Sequence, residues 1–158
     1  MRRIAFDLDE TLGVPLTDGQ GVVGWQMRPG CADLLDRLRP NFELLLWSVS
    51  PRRYVDKALA AGLGRWFSES HSWDEVPSSW KDVRQLRADW LVDDSPHHAE
   101  AAAEFGLASR YIVVPAYGSP KDEADPLAWV RKVEAAVAQD AEPGAAADPA
   151  RTFVSGSS

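Results

Sequence analysis

The chain has 158 residues, which is enough for one domain with a hydrophobic core. Its composition, 45% hydrophobic and 26% charged, is that of an ordinary soluble globular protein, and its longest apolar runs are far too short to span a membrane. The net charge of −7 argues against a nucleic-acid-binding surface, because such surfaces are basic.

Short β-type runs alternate with helical patterns along the chain, which is typical of a parallel, doubly wound α/β sheet with a Rossmann-like arrangement. The predicted strands are Arg3–Asp7, Phe42–Trp47, Trp66–Glu69, Trp90–Val92 and Tyr111–Val114. We therefore expect an α/β fold built on a parallel sheet of about five strands.

Three helical patterns complete the alternation. The first follows the second strand, with Ser50 as its expected cap and Gly62 at its end, and the second has Ser95 as its cap and ends at Gly106. The third covers residues 125–138. Its side chains that are expected to pack onto the sheet are Leu127, Val130 and Val133 or Val137.

Two segments lie outside the alternation. Residues 13–30 are rich in glycine, and "TDGQG" indicates a turn between "GVPL" and "VVGWQM", so we expect a protruding hairpin, or flap. From residue 140 onward the chain has little to bury, and we expect a flexible tail over residues 140–158. The predicted domain is therefore residues 1–139, with the flap at about residues 13–30.

Polar side chains gather where the predicted strands end. They follow the first, second and fourth strands or lie between the third and fourth, and they are Asp7, Asp9, Thr11, Ser48, Lys81, Asp93 and Asp94. Ligands of an open α/β sheet bind beyond the carboxyl ends of the strands, so these side chains should converge on one edge. Clustered carboxylates suit a hard cation such as Mg²⁺. A hydroxyl and an ammonium beside them suit a phosphoryl group, whose oxygens need donors and positive charge.

Each of these residues also has an ordinary structural explanation. The Asp7 and Asp9 pair is compatible with a solvated strand end, Ser48 with a turn and Lys81 with a surface lysine. Two adjacent aspartates before Ser95 are compatible with a helix start. Their joint occurrence, in order and each at a strand end or between strands, favours a functional site.

The same residues resemble the four motifs of the haloacid dehalogenase (HAD) superfamily. The matching segments are "DLDETL" from Asp7, Ser48 after "LLLW", Lys81, and Asp93-Asp94 after "WLV". The match covers roughly residues 3–114. It implies a HAD-type phosphatase, that is, a phosphoric monoester hydrolase. Relatives that dehalogenate lack an aspartate at the position of Asp9, so phosphate chemistry is expected.

The resemblance implies a role for each residue. Asp7 would be the nucleophile that forms an aspartyl-phosphate, and Asp9 would protonate the leaving oxygen and then activate water. Ser48 and Lys81 would hold the phosphoryl oxygens. Thr11, grouped with the phosphate-binding residues, would brace the loop by hydrogen bonding.

The implied cofactor is Mg²⁺. It would be held by the Asp7 carboxylate, the Asp9 backbone carbonyl and Asp94, with Asp93 expected just outside the direct ligands. HAD enzymes for small molecules often carry a cap domain, but the flap and the segment "HSWDEVPSS" are shorter than the roughly 50 residues of an independent domain. An open, cap-less site is therefore expected, which suits a bulky substrate or an oligomer whose neighbour closes the site.

Within the superfamily, several segments are similar to the NIF-like group, which includes small carboxy-terminal-domain phosphatases that act on phosphoserine in proteins. These segments are "DLDETL", "MRPG", "LLLWSVSPRRYVDKAL", "FSES", "WKD" and "VDDSP". The helix "AEAAAEFGL" departs from that group. The leading expectation is a phosphatase for a phosphoprotein or another bulky phosphate ester. The alternatives are a small-metabolite or nucleotide phosphatase and a non-catalytic HAD-fold binding module.

The remaining expectations concern partners and surroundings. Trp25 on the flap and Trp73 before the lysine motif are candidates for a substrate rim, whereas most tryptophans fill cores. His97 and His98 are expected to face solvent at a helix start. The single cysteine, Cys31, fits a reducing cytosol, and no export signal is recognisable, so a cytoplasmic protein is expected. The expected partner is a phosphorylated substrate, and binding to nucleic acid or to a membrane is not expected. The sequence is compatible with an oligomer.

Overall fold

The computed structural model describes residues 1–141, which form seven strands and five α-helices. The strands are β1 (Arg2–Phe6), β2 (Gly13–Asp18), β3 (Gly21–Met27), β4 (Phe42–Trp47), β5 (Glu69–His71), β6 (Trp90–Asp93) and β7 (Tyr111–Val113). The helices are α1 (Cys31–Leu38), α2 (Arg52–Ala60), α3 (His97–Ala103), α4 (Pro120–Ala124) and α5 (Ala128–Ala141). Five strands form a parallel sheet in the order β5-β4-β1-β6-β7, and β2 pairs with β3 in a separate hairpin.

The centre of the parallel sheet is β1, which has buried apolar residues on both faces. Ile4, Ala5 and Phe6 are fully buried, and Ile4 lies opposite Leu44 of β4 and Trp90 of β6. Successive side chains of a strand point to opposite faces. Ile4 and Phe6 therefore pack into a core with residues of α1, α2 and α5, and Ala5 packs into a second core with a residue of α3. Helices cover both faces, which confirms the predicted doubly wound α/β fold.

Two helices begin slightly later than the sequence predicts. The N-cap of α2 is Pro51 instead of Ser50, and that of α3 is Pro96 instead of Ser95. A proline is favourable near a helix start because its missing N–H has no intrahelical partner there. Ser95 still contributes, since its Oγ accepts the N–H of His97 at 3.3 Å.

The third strand of the sheet was predicted too early in the chain. The prediction placed it at Trp66–Glu69, whereas β5 begins at Glu69 and pairs with β4 from there on. Trp66 instead ends a short 3-10 turn and turns its ring into the core, where it is 4% exposed and its Nε1 donates to Asp36 at 2.7 Å. An apolar residue at a turn gave the same sequence pattern as the start of a strand.

The C-terminal part contains one helix more than predicted. Ser119 caps α4, its Oγ accepting the N–H of Asp122 at 3.3 Å, and α5 follows after a short break. On α5, both Val133 and Val137 are buried, as is Val130. Leu127 precedes α5 and is 47% exposed, so its predicted packing onto the sheet is wrong.

The flap prediction corresponds to the β2–β3 hairpin. Its register shifts between Leu16 and Thr17, which indicates a β-bulge. Trp25 on β3 turns its ring into the main core rather than outward. The described residues contain no separate cap domain beside the sheet and the hairpin, as expected.

Within residues 1–141 no helix has the length and apolar character that a membrane crossing needs. The predicted tail, residues 140–158, lies almost entirely outside the described residues. The predicted domain of residues 1–139 and the predicted tail therefore stay predictions.

Candidate active site

The first strand places Asp7 at the carboxyl edge of the sheet. The N–H of Asp7 donates to a carbonyl of β6 at 2.9 Å. The loop that follows folds into one turn, because the N–H of Leu12 donates to the carbonyl of Leu8 at 3.0 Å, and both leucines are fully buried. Polar residues alternate with these leucines, so the loop presents Asp7, Asp9 and Thr11 at the edge of the sheet.

Lys81 is the buried cation of the site, with 2% of its surface exposed. Its Nζ donates to Asp7 Oδ1 at 2.8 Å, to Asp93 Oδ2 at 2.9 Å and to the carbonyl of Trp47 at 2.8 Å. Burial lowers the pKa of Lys81, but the charges of Asp7 and Asp93 and the hydrogen bonds to them outweigh burial and raise it overall. The lysine is therefore a charged group that fixes the orientation of Asp7.

Thr11 connects Asp7 to Asp94. Its Oγ1 lies 2.9 Å from Asp7 Oδ2 and 3.0 Å from Asp94 Oδ1, and it accepts the N–H of Asp94 at 3.1 Å. A hydroxyl has one proton, so Thr11 donates to only one of the two carboxyl groups at a time. The other contact is favourable only when the second carboxyl group carries a proton.

Three carboxyl groups crowd together at this edge. One oxygen of each of Asp7, Asp93 and Asp94 lies within 4.8 Å of the others. Burial, the hydrogen bond to Asp7 and the charges of Asp7 and Asp93 raise the pKa of Asp94 to about 7. Burial also raises the pKa of Asp93, although the charge of Lys81 opposes this rise. The cluster therefore holds more negative charge than one lysine neutralises.

This donor set fits a hard divalent cation, because carboxylate oxygens are the ligands that Mg²⁺ prefers. Asp7 and Asp94 share one side of the cluster across the Thr11 hydroxyl. Asp93 is already engaged, since its Oδ2 accepts from Lys81 and its Oδ1 accepts the N–H of Ser95 at 2.9 Å. The oxygens of Asp7 are engaged as well, by Lys81 and Thr11, so direct ligation by Asp7 and Asp94 with Asp93 just outside stays a prediction.

Asp9 is held by α2 instead of by the carboxylate cluster. The hydroxyl of Tyr54 donates to Asp9 Oδ1. Burial raises the pKa of Asp9, the hydrogen bond from Tyr54 opposes this rise, and the charges of Asp7 and Glu10 add to it. A raised pKa favours the protonated form, which is the form that a general acid requires.

The remaining predicted site residues are Ser48, Trp73 and Trp25. Ser48 follows β4, is buried, and its Oγ accepts the N–H of Ser50 at 3.0 Å. Trp73 is 45% exposed. Its backbone N–H donates to the carbonyl of Ser50 at 2.9 Å, which places it beside the loop that contains Ser48. Trp25 is 9% exposed and offers little surface to a substrate. The substrate-rim role of the two tryptophans stays a prediction. Trp73 is the better candidate, because more of its surface is exposed.

His98 contradicts its prediction, because it is buried rather than solvent-facing. Its Nδ1 accepts the N–H of Lys81 at 2.9 Å. Burial and the charges of Lys81 and His97 lower the pKa of His98 to about 4, so the ring is neutral. Tyr111 holds the same residue from the other side, its hydroxyl donating to the carbonyl of Lys81 at 2.7 Å. Side chains from two other elements thus fix the backbone of the lysine.

Arg28, the arginine of "MRPG", holds the first loop from behind. Its Nη1 donates to the carbonyl of Thr11 at 3.3 Å, and its Nη2 donates to Asp122 Oδ1 at 2.9 Å. The guanidinium lies over the ring of Trp129, 4.6 Å from the ring centroid. In the sequence, this segment is recognisable only by its similarity to the NIF-like group. The structure shows that Arg28 connects the loop of Asp7 to the C-terminal helices.

Comparison with known proteins gives the following relatives. The model of the NLI interacting factor-like phosphatase family matches residues 3–123. No curated protein matches the chain significantly. Among solved structures, a Thermotoga maritima protein classed as a β-phosphoglucomutase is 13% identical with a TM-score of 0.61, and the alignment covers 85% of this chain and 99% of that one.

Two further structures are of Fcp1. Fcp1, an essential RNA polymerase II CTD phosphatase, is 18% identical with a TM-score of 0.58, and the alignment covers 87% of this chain and 49% of that one. A variant of fission yeast Fcp1 bound to beryllium fluoride is 16% identical with a TM-score of 0.53, covering 87% and 51%. The chain spans about half the length of both Fcp1 chains, and at these identities the likeness shows the fold alone.

The family match covers nearly all of the parallel sheet, the hairpin and every residue of the candidate site. It agrees with the HAD-type fold and with the cap-less arrangement of the described residues. The chain is a HAD-type phosphatase that belongs to the NLI interacting factor-like phosphatase family.

Proposed function

We propose that the protein is a Mg²⁺-dependent phosphomonoester hydrolase that works through an aspartyl-phosphate on Asp7. The observation that supports this most strongly is the fixed Asp7 carboxylate. One of its oxygens accepts from Lys81 and the other lies against Thr11, while 9% of the residue remains exposed. A carboxylate held in one orientation at an open edge is well placed to attack a phosphorus atom.

Two carboxyl groups divide the chemistry. Asp7 attacks phosphorus and forms the aspartyl-phosphate, while the bond to the alcohol oxygen breaks and that oxygen takes the proton of Asp9. Asp9, now a carboxylate, removes a proton from a water molecule that attacks the phosphorus and releases phosphate, which restores Asp7. Tyr54 keeps Asp9 apart from the carboxylate cluster through its hydrogen bond.

Positive charge and donors stabilise the phosphoryl oxygens. Lys81 and the Ser48 hydroxyl are proposed to hold them, with an oxygen replacing one of the three present acceptors of Lys81. When bound between the Asp7 carboxylate, the Asp9 backbone carbonyl and Asp94, Mg²⁺ would neutralise carboxylate and phosphoryl charge. Asp93 is proposed to support Lys81 from outside the direct ligands.

The leading substrate class is a phosphoprotein or another bulky phosphate ester. Support comes from the absence of a cap domain over the sheet edge among residues 1–141, and from a structural neighbour that acts on the RNA polymerase II CTD. A small-metabolite or nucleotide phosphatase is the second candidate, favoured by the helix "AEAAAEFGL". The arrangement of Asp7, Lys81 and Asp94 argues against a non-catalytic binding module.

We also place the activity in a reducing compartment such as the cytoplasm. Cys31 is a free thiol that is buried at the start of α1. Because it is the single cysteine of the chain, an oxidising compartment offers no stabilising internal disulfide.

The test is hydrolysis of a generic aryl phosphate. We expect turnover with Mg²⁺, loss of turnover with EDTA, and recovery when Mg²⁺ is restored. Asp7→Asn should lower kcat by at least roughly a thousandfold, because the amide cannot act as the nucleophile. Asp33→Asn makes the same chemical change on the exposed surface of α1 and should leave the rate unchanged.

Activity that persists in EDTA or in Asp7→Asn contradicts the mechanism. No activity on any phosphomonoester supports the binding module instead. A second screen compares phosphopeptides with phosphorylated metabolites and nucleotides. A higher kcat/KM for phosphopeptides supports the phosphoprotein assignment, and a higher value for the small molecules supports the alternative.

A further inference from the structure

The segment that carries Lys81 has no regular secondary structure to hold it. Strand β5 ends at His71 and the next element, a short 3-10 helix, begins at Val83, so residues 72–82 form neither helix nor strand. Lys81 is nevertheless buried, and its Nζ has three acceptors at 2.8 to 2.9 Å. A long side chain keeps one such position only when its backbone is fixed as well. The contacts of the Lys81 backbone therefore decide where its ammonium lies.

His98 supplies the contact to the backbone amide of Lys81. Its Nδ1 accepts the Lys81 N–H at 2.9 Å, and both residues are buried. An accepting Nδ1 places the proton of the neutral ring on Nε2. Nε2 faces Asp93 Oδ2 at 3.6 Å, and that oxygen also accepts from Lys81 Nζ. The ring therefore lies between the backbone of the lysine and a carboxylate that the lysine side chain contacts.

His98 belongs to the helix that follows the carboxylate cluster. It lies on the first turn of α3, four positions after Asp94. The hydrogen bond from Lys81 spans 17 positions of the chain, so it connects the lysine to the segment that supplies two carboxylates of the cluster. His97, the neighbouring residue, is exposed and contacts the carbonyl of Ser79. The buried ring thus contacts the lysine, and the exposed ring contacts the chain before it.

The acceptor matters because burial excludes water from the Lys81 backbone. A buried N–H without a partner costs free energy, so without His98 the backbone moves until the N–H finds another acceptor. Such a movement carries Nζ away from its place between Asp7 and Asp93. A displacement of about 1 Å is enough to lower the rate of an enzymatic reaction by about a hundredfold.

We propose that His98 is a positioning residue for the reaction: by accepting the Lys81 N–H, it fixes the point from which the ammonium reaches the phosphoryl group. His98 acts through Lys81 and takes no part in bond making or proton transfer. The proposal rests on the proposed function, because it takes Lys81 as the cation that stabilises the phosphoryl oxygens.

The test removes the acceptor and then restores it. His98→Leu replaces the ring with an apolar side chain, and kcat on an aryl phosphate with Mg²⁺ should fall about 10- to 100-fold, with KM within about twofold. The loss falls on kcat because the lysine acts most strongly on the charge of the transition state. In His98→Asn, Oδ1 is bonded to Cγ as Nδ1 is in histidine, so it accepts the same N–H. This variant should keep kcat within about threefold of wild type.

Orthovanadate gives a readout that a mere loss of stability does not change. It resembles the five-coordinate phosphorus of the transition state, so its inhibition constant should rise in His98→Leu by about the factor by which kcat falls. Inorganic phosphate resembles the ground state, and its inhibition constant should stay within about twofold of wild type. His98→Asn should bind both anions as wild type does.

His97→Leu is the matched control, because it makes the same change one position away, on the exposed ring that contacts Ser79. It should keep the kcat and the orthovanadate inhibition of wild type. His98→Ala is a second variant that removes the acceptor without adding bulk, and it replaces His98→Leu if that variant does not fold. Urea unfolding shows which variants are folded.

Four results overturn the proposal: the variants without an acceptor keep the wild-type kcat, their kcat falls without weaker orthovanadate binding, His98→Asn is as slow as they are, or His97→Leu loses as much. Each of these results, obtained beside a wild-type protein that hydrolyses the aryl phosphate, leaves the proposed function intact. A wild-type protein that hydrolyses no phosphomonoester contradicts the proposed function instead. The wild-type assay therefore separates the two failures.

Discussion

At the scale of single residues, the site depends on one buried ammonium between two carboxylates. Lys81 donates to Asp7 and to Asp93, and its own backbone is held by His98 and Tyr111. A buried charge that loses its partner is strongly destabilising. Lys81 therefore contributes to folding as well as to the proposed phosphoryl binding.

Lys81→Met should lower the free energy of unfolding by about 3–5 kcal/mol in EDTA, because Asp7 and Asp93 then lie unpaired in a buried site. Without the ammonium the pKa of Asp93 rises further, because the charge of Lys81 no longer lowers it, so protonation at lower pH removes its unpaired charge. The loss should accordingly shrink as the pH falls. Urea unfolding at several pH values measures it, with Lys121→Met on the exposed side of α4 as the control. A loss that does not depend on pH contradicts this explanation.

The Tyr54 hydroxyl should matter for turnover more than for stability. In Tyr54→Phe, Asp9 loses the donor that orients it, and we expect kcat on an aryl phosphate to fall about tenfold with KM unchanged. Tyr117→Phe is the matched control, because that hydroxyl contacts Gln26 instead. Equal kcat values for the two variants would show that Tyr54 does not position Asp9.

The candidate residues that follow strands could be predicted from the sequence, whereas the side chains that hold them could not. Asp7 and Asp94 were found because parallel strands bring their carboxyl ends to one edge. Tyr54 lies 45 positions from Asp9, and Arg28 lies 94 positions from Asp122. No local pattern signals contacts that the tertiary fold creates at such separations.

At the scale of elements, the same limitation explains the misplaced boundaries. Trp66 has the apolar character of a strand residue. The chain begins to hydrogen-bond to β4 only at Ser68, whose N–H donates to the carbonyl of Leu44 at 3.0 Å. Strand β1 was predicted to within one residue at each end, because Ile4, Ala5 and Phe6 are buried and form an unbroken apolar run.

Cys31 allows a test of the packing of α1. Burial raises the pKa of its thiol from 9.0 to about 12. The unfolded thiol therefore ionises from about pH 9 and the folded one only near pH 12, so this stabilisation is fully present below pH 9 and is lost as the pH rises. The loss should amount to about 1.4 kcal/mol per pH unit between those values. Urea unfolding of wild type and Cys31→Ala at increasing pH measures it; identical slopes would contradict the burial of the thiol.

Arg28 tests the connection between the first loop and the C-terminal helices. Arg28→Met keeps the length of the side chain but leaves Asp122 as a buried unpaired charge, and should cost about 3–5 kcal/mol. It should also lower kcat, because the carbonyl of Thr11 loses a donor. Arg37→Met removes an exposed ion pair with Glu134 and should cost at most about 1 kcal/mol. A loss in Arg28→Met as small as in Arg37→Met would contradict this role.

At the scale of the whole molecule, the fold converts distant residues into one site on an open edge. The family, the parallel sheet and the absence of a cap domain among residues 1–141 all agree with the sequence analysis. The substrate is not encoded in the motifs, since they describe the phosphoryl group alone.

The proposed mechanism requires that Asp7 becomes phosphorylated during turnover. The most direct measurement is to quench the enzyme during hydrolysis of an aryl phosphate, reduce the trapped acyl phosphate with borohydride, and locate the reduced residue by mass spectrometry. We expect reduction at position 7 and nowhere else, dependent on Mg²⁺ and substrate. Rapid turnover with no reduction at Asp7, or with the phosphate on another residue, would contradict it.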